Sequence, residues 1–248
     1  MNIFVLHGQI LRKEPPKRER GASLVVIKTG PERRTQQHQA LQAVNQVIVR
    51  VPHHLSERLA KLAEGCYVEL FGHVGGVARR NLTSGETYLG TQLIGTNIQE
   101  AVTPNGTAEG VKDGDLFNRF LLIGMVRGLR KNTRETGPDA YTLLQIGQER
   151  PDEGRSFQHV GTVNLASFGR AAELVTRMEA GDSIHAEGHI TGLMRRVPSE
   201  TNPDQLIEHL EVGLVMDRVR RTALVTSHML KPWATLEGNG RNGDEDAA

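Results

Sequence analysis

"FGHVGGVARR" (71–80) and "EGHITGLMRR" (187–196) both pass through a Gly-His pair and stop on two arginines, 116 residues apart. The echo extends backwards on the same ungapped offset. It pairs Asn2 with Asn118, Phe4 with Phe120, Leu6 with Leu122 and Gly8 with Gly124, then Val47 with Val163, Glu57 with Glu173, Gly65 with Gly181, and Gly72 with Gly188. Apolar positions, glycines and arginines agreeing in one register mark a duplication. Solenoid units repeat at roughly 20 to 50 residues, so a period this long means two whole domains. The chain divides into units at 1–100 and 117–221, a Gly-, Pro- and acid-containing linker at 101–116, and an acidic tail at 222–248 that is expected to be flexible.

Each unit reads as three strands, one helix and two strands. In the first, the alternating "NIFVLHGQILR", then "ASLVVIKTG" and "VNQVIVRV", precede a change to helical spacing in "HHLSERLAKLAEG", where Leu55, Leu59 and Leu62 recur and Gly65 supplies a stop. A long strand from Cys66 to Arg80 and a last one, "YLGTQLIGTNI", follow. The second unit repeats the order, with Ala171, Leu174, Val175 and Met178 expected on one helix face. The predicted fold is mainly β: two tandem five-stranded barrels of the oligonucleotide- and oligosaccharide-binding (OB) type, each with one short α-helix between strands three and four. The helix closes the open end of the barrel. A sandwich would show about seven strands and no helix.

Composition narrows the chemistry. Of 248 residues, 38% are apolar and only 4% aromatic, so the cores must be built from Val, Leu, Ile and Ala. The overall charge of +1 hides an asymmetry. Positive charge is concentrated in the first unit, which points to an anionic partner there. The single cysteine, Cys66, excludes an intramolecular disulfide and a thiolate metal cluster, and its strand position suits a small buried hydrophobe. No apolar run reaches the roughly 20 residues of a membrane span, and the first residues move straight into a strand pattern, so a cytoplasmic protein without membrane attachment is expected. His53 and His54 adjoin at a helix start, and His73 and His189 occupy matching outward strand positions, none at ligand spacing. With no nucleotide, nucleophile or metalloprotease motif, neither cofactor, metal nor catalysis is expected.

The stretches "FNRFLLIGMVRGLRKNT", "VNLASFGRAAELV" and "EAGDSIHAEGHITG" resemble the bacterial single-stranded DNA-binding protein family. The matching residues are Asn118, Gly124, Phe168, Gly169, Ala172, Glu173, Gly181, Glu187 and Gly188, and they cover nearly the whole second unit. The first unit keeps Asn2, Gly8, Glu57, Gly65 and Gly72 but has "VPHH" where Phe-Gly would fall. Tandem members of that family pair into dimers with four barrels, so the resemblance implies a homodimer. It also implies stacking of bases on aromatic platforms. Phe168 retains one such position, whereas Thr162 and Arg195 stand near family tryptophans and Pro52 replaces the first unit's phenylalanine. Fewer platforms imply weaker, more charge-dependent binding. The tail "GDEDAA" keeps the family's terminal acids without its terminal Phe, so the usual docking of partner proteins is not implied.

A groove for single strands needs cations along loops beside the sheet, with flat side chains between them. Candidates in the first unit are Arg12, Lys13, Lys17, Arg18, Arg20, Arg33, Arg34, Arg79 and Arg80. Those in the second are Arg127, Arg130, Lys131, Arg134, Arg195 and Arg196. Candidate stackers are Tyr88, Tyr141, Phe157 and Phe168, whereas Phe4 and Phe120 belong to cores. Strand phase turns Val68 and Leu70 inward and Tyr67 and Phe71 outward, onto a face that suits a subunit interface or base stacking, and the resemblance implies the interface. These features favour sequence-tolerant single-stranded DNA binding that coats and protects strands in replication, recombination or mobile-element DNA processing. RNA would use the same contacts. The rival reading is a protein-interaction module resembling the primosomal accessory proteins, acting with a replication or recombination partner and binding nucleic acid weakly.

Overall fold

A computed structural model describes residues 1–18, 21–30, 41–80, 87–101, 117–132, 137–147, 158–198 and 206–222. The first unit contributes β1 (Asn2–Glu14), β2 (Ser23–Lys28), β3 (Leu41–Val44), β4 (Gln46–Val51), α1 (Ser56–Lys61), β5 (Tyr67–Arg80) and β6 (Thr87–Glu100). The second contributes β7 (Phe117–Lys131), β8 (Ala140–Gln145), β9 (Gln158–Val160), β10 (Thr162–Ser167), α2 (Gly169–Val175), β11 (Ser183–Pro198) and β12 (Leu206–Arg221). Hydrogen-bonded pairing closes two five-stranded rings. One runs β1-β2-β4-β6-β5 and back to β1. The other runs β7-β8-β10-β12-β11 and back to β7. In each, alternate residues face inward: Phe4, Leu6 and Ile10 of β1, like Phe120, Leu122 and Val126 of β7, are buried.

The repeated Asn, Phe and Gly have one physical cause. Strand registers shift between Phe71 and Gly72 and, equivalently, between Glu187 and Gly188. At these bulges the backbone comes up against the ring of Phe4 or Phe120. A Cβ on Gly72 would overlap the Ile94 carbonyl oxygen and lie 2.6 Å from the Phe4 ring, and one on Gly188 would overlap the Val215 oxygen and lie 2.7 Å from Phe120. Asparagine then serves as a surrogate strand neighbour. Asn2 Nδ2 donates to the Val74 carbonyl (2.7 Å) while its Oδ1 accepts from the Val74 N–H (2.9 Å). Asn118 makes the same two bonds to Ile190, whose N–H lies 2.8 Å from Oδ1.

The rings are also joined to each other. β1 and β7 pair antiparallel from Asn2↔Leu122 to His7↔Phe117, centred on Phe4↔Phe120. Beyond the rings, the β5–β6 and β11–β12 hairpins reach across onto the other unit. β9 of the second unit pairs with Gly76–Ala78 of β5, and β3 of the first pairs with Gly192–Arg195 of β11. The hairpins meet where Val212 pairs with Thr91 and Tyr88 donates its hydroxyl to Glu211 Oε1 (2.9 Å), a carboxylate that is itself buried.

Three local expectations need correction. The helical segments are shorter than their apolar spacing suggested: His53–Leu55 is a 3-10 turn before α1, and Leu62 has already turned extended. In α2 the buried face is Ala171, Ala172 and Val175, with Leu174 exposed, because a seven-residue helix presents only two turns to the ring. β3 lies between the second and third strands expected in the first unit, where none is expected from the sequence. Its pairing partner belongs to the other unit, which no local alternation reveals. Cys66 is half-buried against the core, and burial, with Glu100 nearby, raises its thiol pKa.

The outward surface around the β1–β7 junction is a broad saddle. Its apolar side chains include Ile3 (44% exposed) and Phe117 (46%), with Val5, Phe71 and Leu121 half-buried. Phe71 lies opposite Val5 and Tyr67 opposite Gln9, in the outward phase expected of them. On the second unit the saddle carries an ion cluster in which Asp217 accepts from Arg119 Nη1 (2.7 Å) and contacts His189 Nδ1 (3.0 Å). Burial pushes the Asp217 carboxyl up, but the His189 and Arg119 contacts outweigh it and hold its pKa below the usual carboxylate value.

Two stability measurements check this architecture. Gly188→Ala is expected to lose about 2 kcal/mol or more in urea unfolding, because backbone and ring must both shift. Gly75→Ala, whose Cβ would meet the flexible Gln92 side chain at 3.4 Å and Ile94 Cδ1 at an ordinary 3.7 Å, changes stability by less than about 1 kcal/mol. Equal losses would contradict the close-approach account. Asp217 ionises more readily folded than unfolded, so it contributes stability above the unfolded value of about 4 that is lost as pH falls through its folded pKa. Asp217→Asn therefore flattens the acid limb of the stability–pH curve, and an unchanged limb would refute the cluster's role.

Candidate nucleic-acid interface

In the second barrel, cross-strand pairing assembles an open outer face on β7, β8 and β10. Thr142 and Leu144 of β8 and Val163, Leu165 and Ser167 of β10 point inward and are buried, which turns Tyr141, Leu143, Asn164 and Ala166 outward. Arg130 lies directly opposite Tyr141, and Tyr141 opposite Ala166. The next row is Gly128, Leu143 and Asn164, and the third includes Gln145 and Thr162. Leu143 is 40% exposed and Phe168, just past β10, is 48% exposed. An exposed ring, leucine and guanidinium on one pleated surface combine stacking area with phosphate attraction. The face is held in place from below. Asp139 Oδ2 accepts the N–H of Gly169 (2.6 Å), and Asn132 donates to the Pro138 carbonyl (2.8 Å), tying the end of β7 to the residues before β8.

Cations border this face. Arg127, Arg130 and Lys131 are exposed, and none has an ion-pair partner among the described residues. Arg127 lies in the bulge between Val126 and Gly128, a device that re-aims a side chain. The cations of the first barrel are more committed. Arg12 pairs with Glu14 (2.7 Å), and Lys13 Nζ donates to the Leu62 carbonyl (2.6 Å) and the Leu59 carbonyl (3.4 Å) at the end of α1. Lys17 and Arg18 are exposed in the loop after β1.

The equivalent face of the first barrel is built differently. Leu24 stands across from Arg50, and Arg12 across from Val26, which is only 4% exposed. Arg50, exposed near the end of β4, was missed by the sequence reading because it lies inside a β-branched strand rather than in a charged loop. Leu143 was missed for the opposite reason, since an outward leucine looks like any core residue. Among the described residues, this face carries arginines and no aromatic ring.

Other candidates lie elsewhere. Tyr88 is placed between the two hairpins by its bond to Glu211. The backbones of Arg79 and Arg80 lie at the end of β5, opposite Tyr88 and Thr87, and those of Arg195 and Arg196 on β11, opposite His209 and Glu208. Each pair is therefore carried towards the other unit, far from the loop that holds Lys17 and Arg18. Arg20, Arg33, Arg34, Arg134 and Phe157 lie outside the described residues. His73 is half-buried and burial lowers its pKa, so it adds no cation at neutral pH. Among the described residues no cluster of metal-ligating side chains occurs, and no helix is long and apolar enough to cross a membrane.

No protein-family model and no curated protein sequence matches the chain. Among solved structures, it resembles the wild-type single-stranded DNA-binding protein of Thermus aquaticus, with a TM-score of 0.51 and 13% identity over 100% of this chain and 97% of that one. A deletion variant of the same Thermus aquaticus protein aligns with a TM-score of 0.52 and 15% identity, covering 90% of this chain and 94% of that one. At this identity the likeness shows a shared, mainly β fold alone; the two rings rest on the strand pairing described above.

Proposed function

We propose that the chain binds single-stranded DNA, and that the outer face of β7, β8 and β10 is the main contact. The observation that carries this reading is the row of Arg130 and Tyr141 beside exposed Leu143 and Phe168. Bases stack on Tyr141 and Phe168 and lie over Leu143, while Arg127, Arg130 and Lys131 attract phosphates. The first barrel adds a contact dominated by charge, through Lys17, Arg18 and Arg50. The Thermus aquaticus protein's stated partner supports the same class of ligand. Every base has a stacking face and every nucleotide a phosphate, so the contact is sequence-tolerant. Such an activity suits the coating of exposed strands in replication, recombination or mobile-element processing within the cytoplasm. The apolar saddle, with Ile3, Tyr67, Phe71 and Phe117, suits a second copy of the chain, which would bring four barrels together. It is also the feature that favours the second reading, a module whose main partner is another protein.

A fluorescence titration with a labelled oligothymidylate tests the proposal. Binding should exceed that to duplex and fall with salt by about 0.7 log units per log unit for each phosphate contacted. Tyr141→Ala and Phe168→Ala should each cost on the order of 1 to 3 kcal/mol. Absence of binding at low salt, or indifference to both substitutions, would overturn it.

A further inference from the structure

From the exchange of hairpins we infer that Arg79 and Arg80, carried by the first barrel, extend the nucleic-acid path of the second barrel rather than that of their own. This inference deepens the proposed single-strand binding and rests on it. The placement follows from register. β9 runs through Gly161 directly into β10, the edge of the proposed face. Because β5 pairs antiparallel with β9, through Gly76↔Val160 and Ala78↔Gln158, Arg79 and Arg80 continue the line of β10 beyond its first residue. The distance is short. From Ala166 back to Gln158 is about 26 Å of strand at roughly 3.3 Å per residue.

Polar chemistry along that line fits a strand that crosses it. Tyr141 and Arg130 stand at one end of the face. Towards the other end, Gln145 and Asn164 each hold a buried side-chain oxygen, Oε1 and Oδ1, with no hydrogen-bond partner among the described residues. Buried acceptors without donors are rare in folded proteins and are costly unless something satisfies them. The half-buried Gln145 and Asn164 lie in the outward phase between Tyr141 and the hairpin, so polar residues continue the face towards Arg79 and Arg80. Among the described residues, the outward cations of β7 beside this face, Arg127, Arg130 and Lys131, lie towards its Tyr141 end.

The first barrel offers the converse arrangement with less to work on. β3 pairs with Gly192–Arg195 and leads through Asn45 into β4, so Arg195 and Arg196 stand off the end of the face that holds Arg50. One hairpin from each unit thus serves the neighbour's face. Two barrels cut apart would each lose the distal end of their path.

Site-directed variants of the full chain, titrated with a labelled oligothymidylate of about ten nucleotides, which is within the reach of one barrel, distinguish the possibilities. Arg79→Gln/Arg80→Gln is combined with Arg50→Glu, which weakens the first face, and separately with Tyr141→Ala/Phe168→Ala, which weakens the second. The inference predicts about a tenfold loss of affinity from the arginine pair in the Arg50→Glu background, a loss of less than twofold in the Tyr141→Ala/Phe168→Ala background, and recovery with Arg79→Lys/Arg80→Lys. The reverse pattern assigns the arginines to their own barrel and overturns the inference while leaving single-strand binding intact, as does indifference in both backgrounds. If the unmodified chain does not bind the oligonucleotide, the underlying functional reading fails instead.

Discussion

The contact on which the architecture depends is the approach of a phenylalanine ring to a glycine backbone, made once in each unit. Phe4 lies against Gly72 and Phe120 against Gly188, and neither position has space for a Cβ. The bulge that accompanies each contact bends the long fourth strand of its ring, so that its first half closes the barrel while its second half runs on as a hairpin. Asn2 and Asn118 hold the bend by satisfying both backbone groups of the residue two positions beyond the glycine. β1 is thereby free to use one edge twice: it pairs with β7 through its first residues and with β2 through its last.

Much of this was legible in the sequence because it is local and repeated. The offset that links Asn2, Phe4 and Gly72 to Asn118, Phe120 and Gly188 identifies two units. The order of periodicities gives the strand order of each ring. The relation between the units was not legible. β3 is short and its partner lies in the other unit, so nothing in its own alternation signals a strand. The arginine pairs looked like rim residues of their own barrels for the same reason. Which loop cations remain available to a polyanion was equally hidden. Lys13 is drawn to the carbonyls at the end of α1 and Arg12 to Glu14, and both depend on side-chain geometry rather than spacing.

Duplication has left two similar scaffolds with unlike surfaces. At structurally equivalent positions the second barrel has Ala166 and Phe168 where the first has Arg50 and Pro52. Net charge by unit had suggested that the first barrel dominates contact with a polyanion. The geometry shifts weight to the second, where cations and an exposed ring share one pleated face. Stacking adds on the order of 1 to 3 kcal/mol per base without reference to sequence, and salt screens it far less than phosphate attraction. A chain with one stacking face and one charged face would hold a strand firmly at one end and loosely at the other.

The central claim is that a single strand lies across β7, β8 and β10. Amide hydrogen exchange of the full chain, measured with and without saturating oligothymidylate, tests it most directly. The account predicts added protection at 128–131, 141–145 and 162–168. Protection confined instead to the saddle around Ile3, Phe71 and Phe117, with the β8–β10 face unchanged, would contradict it.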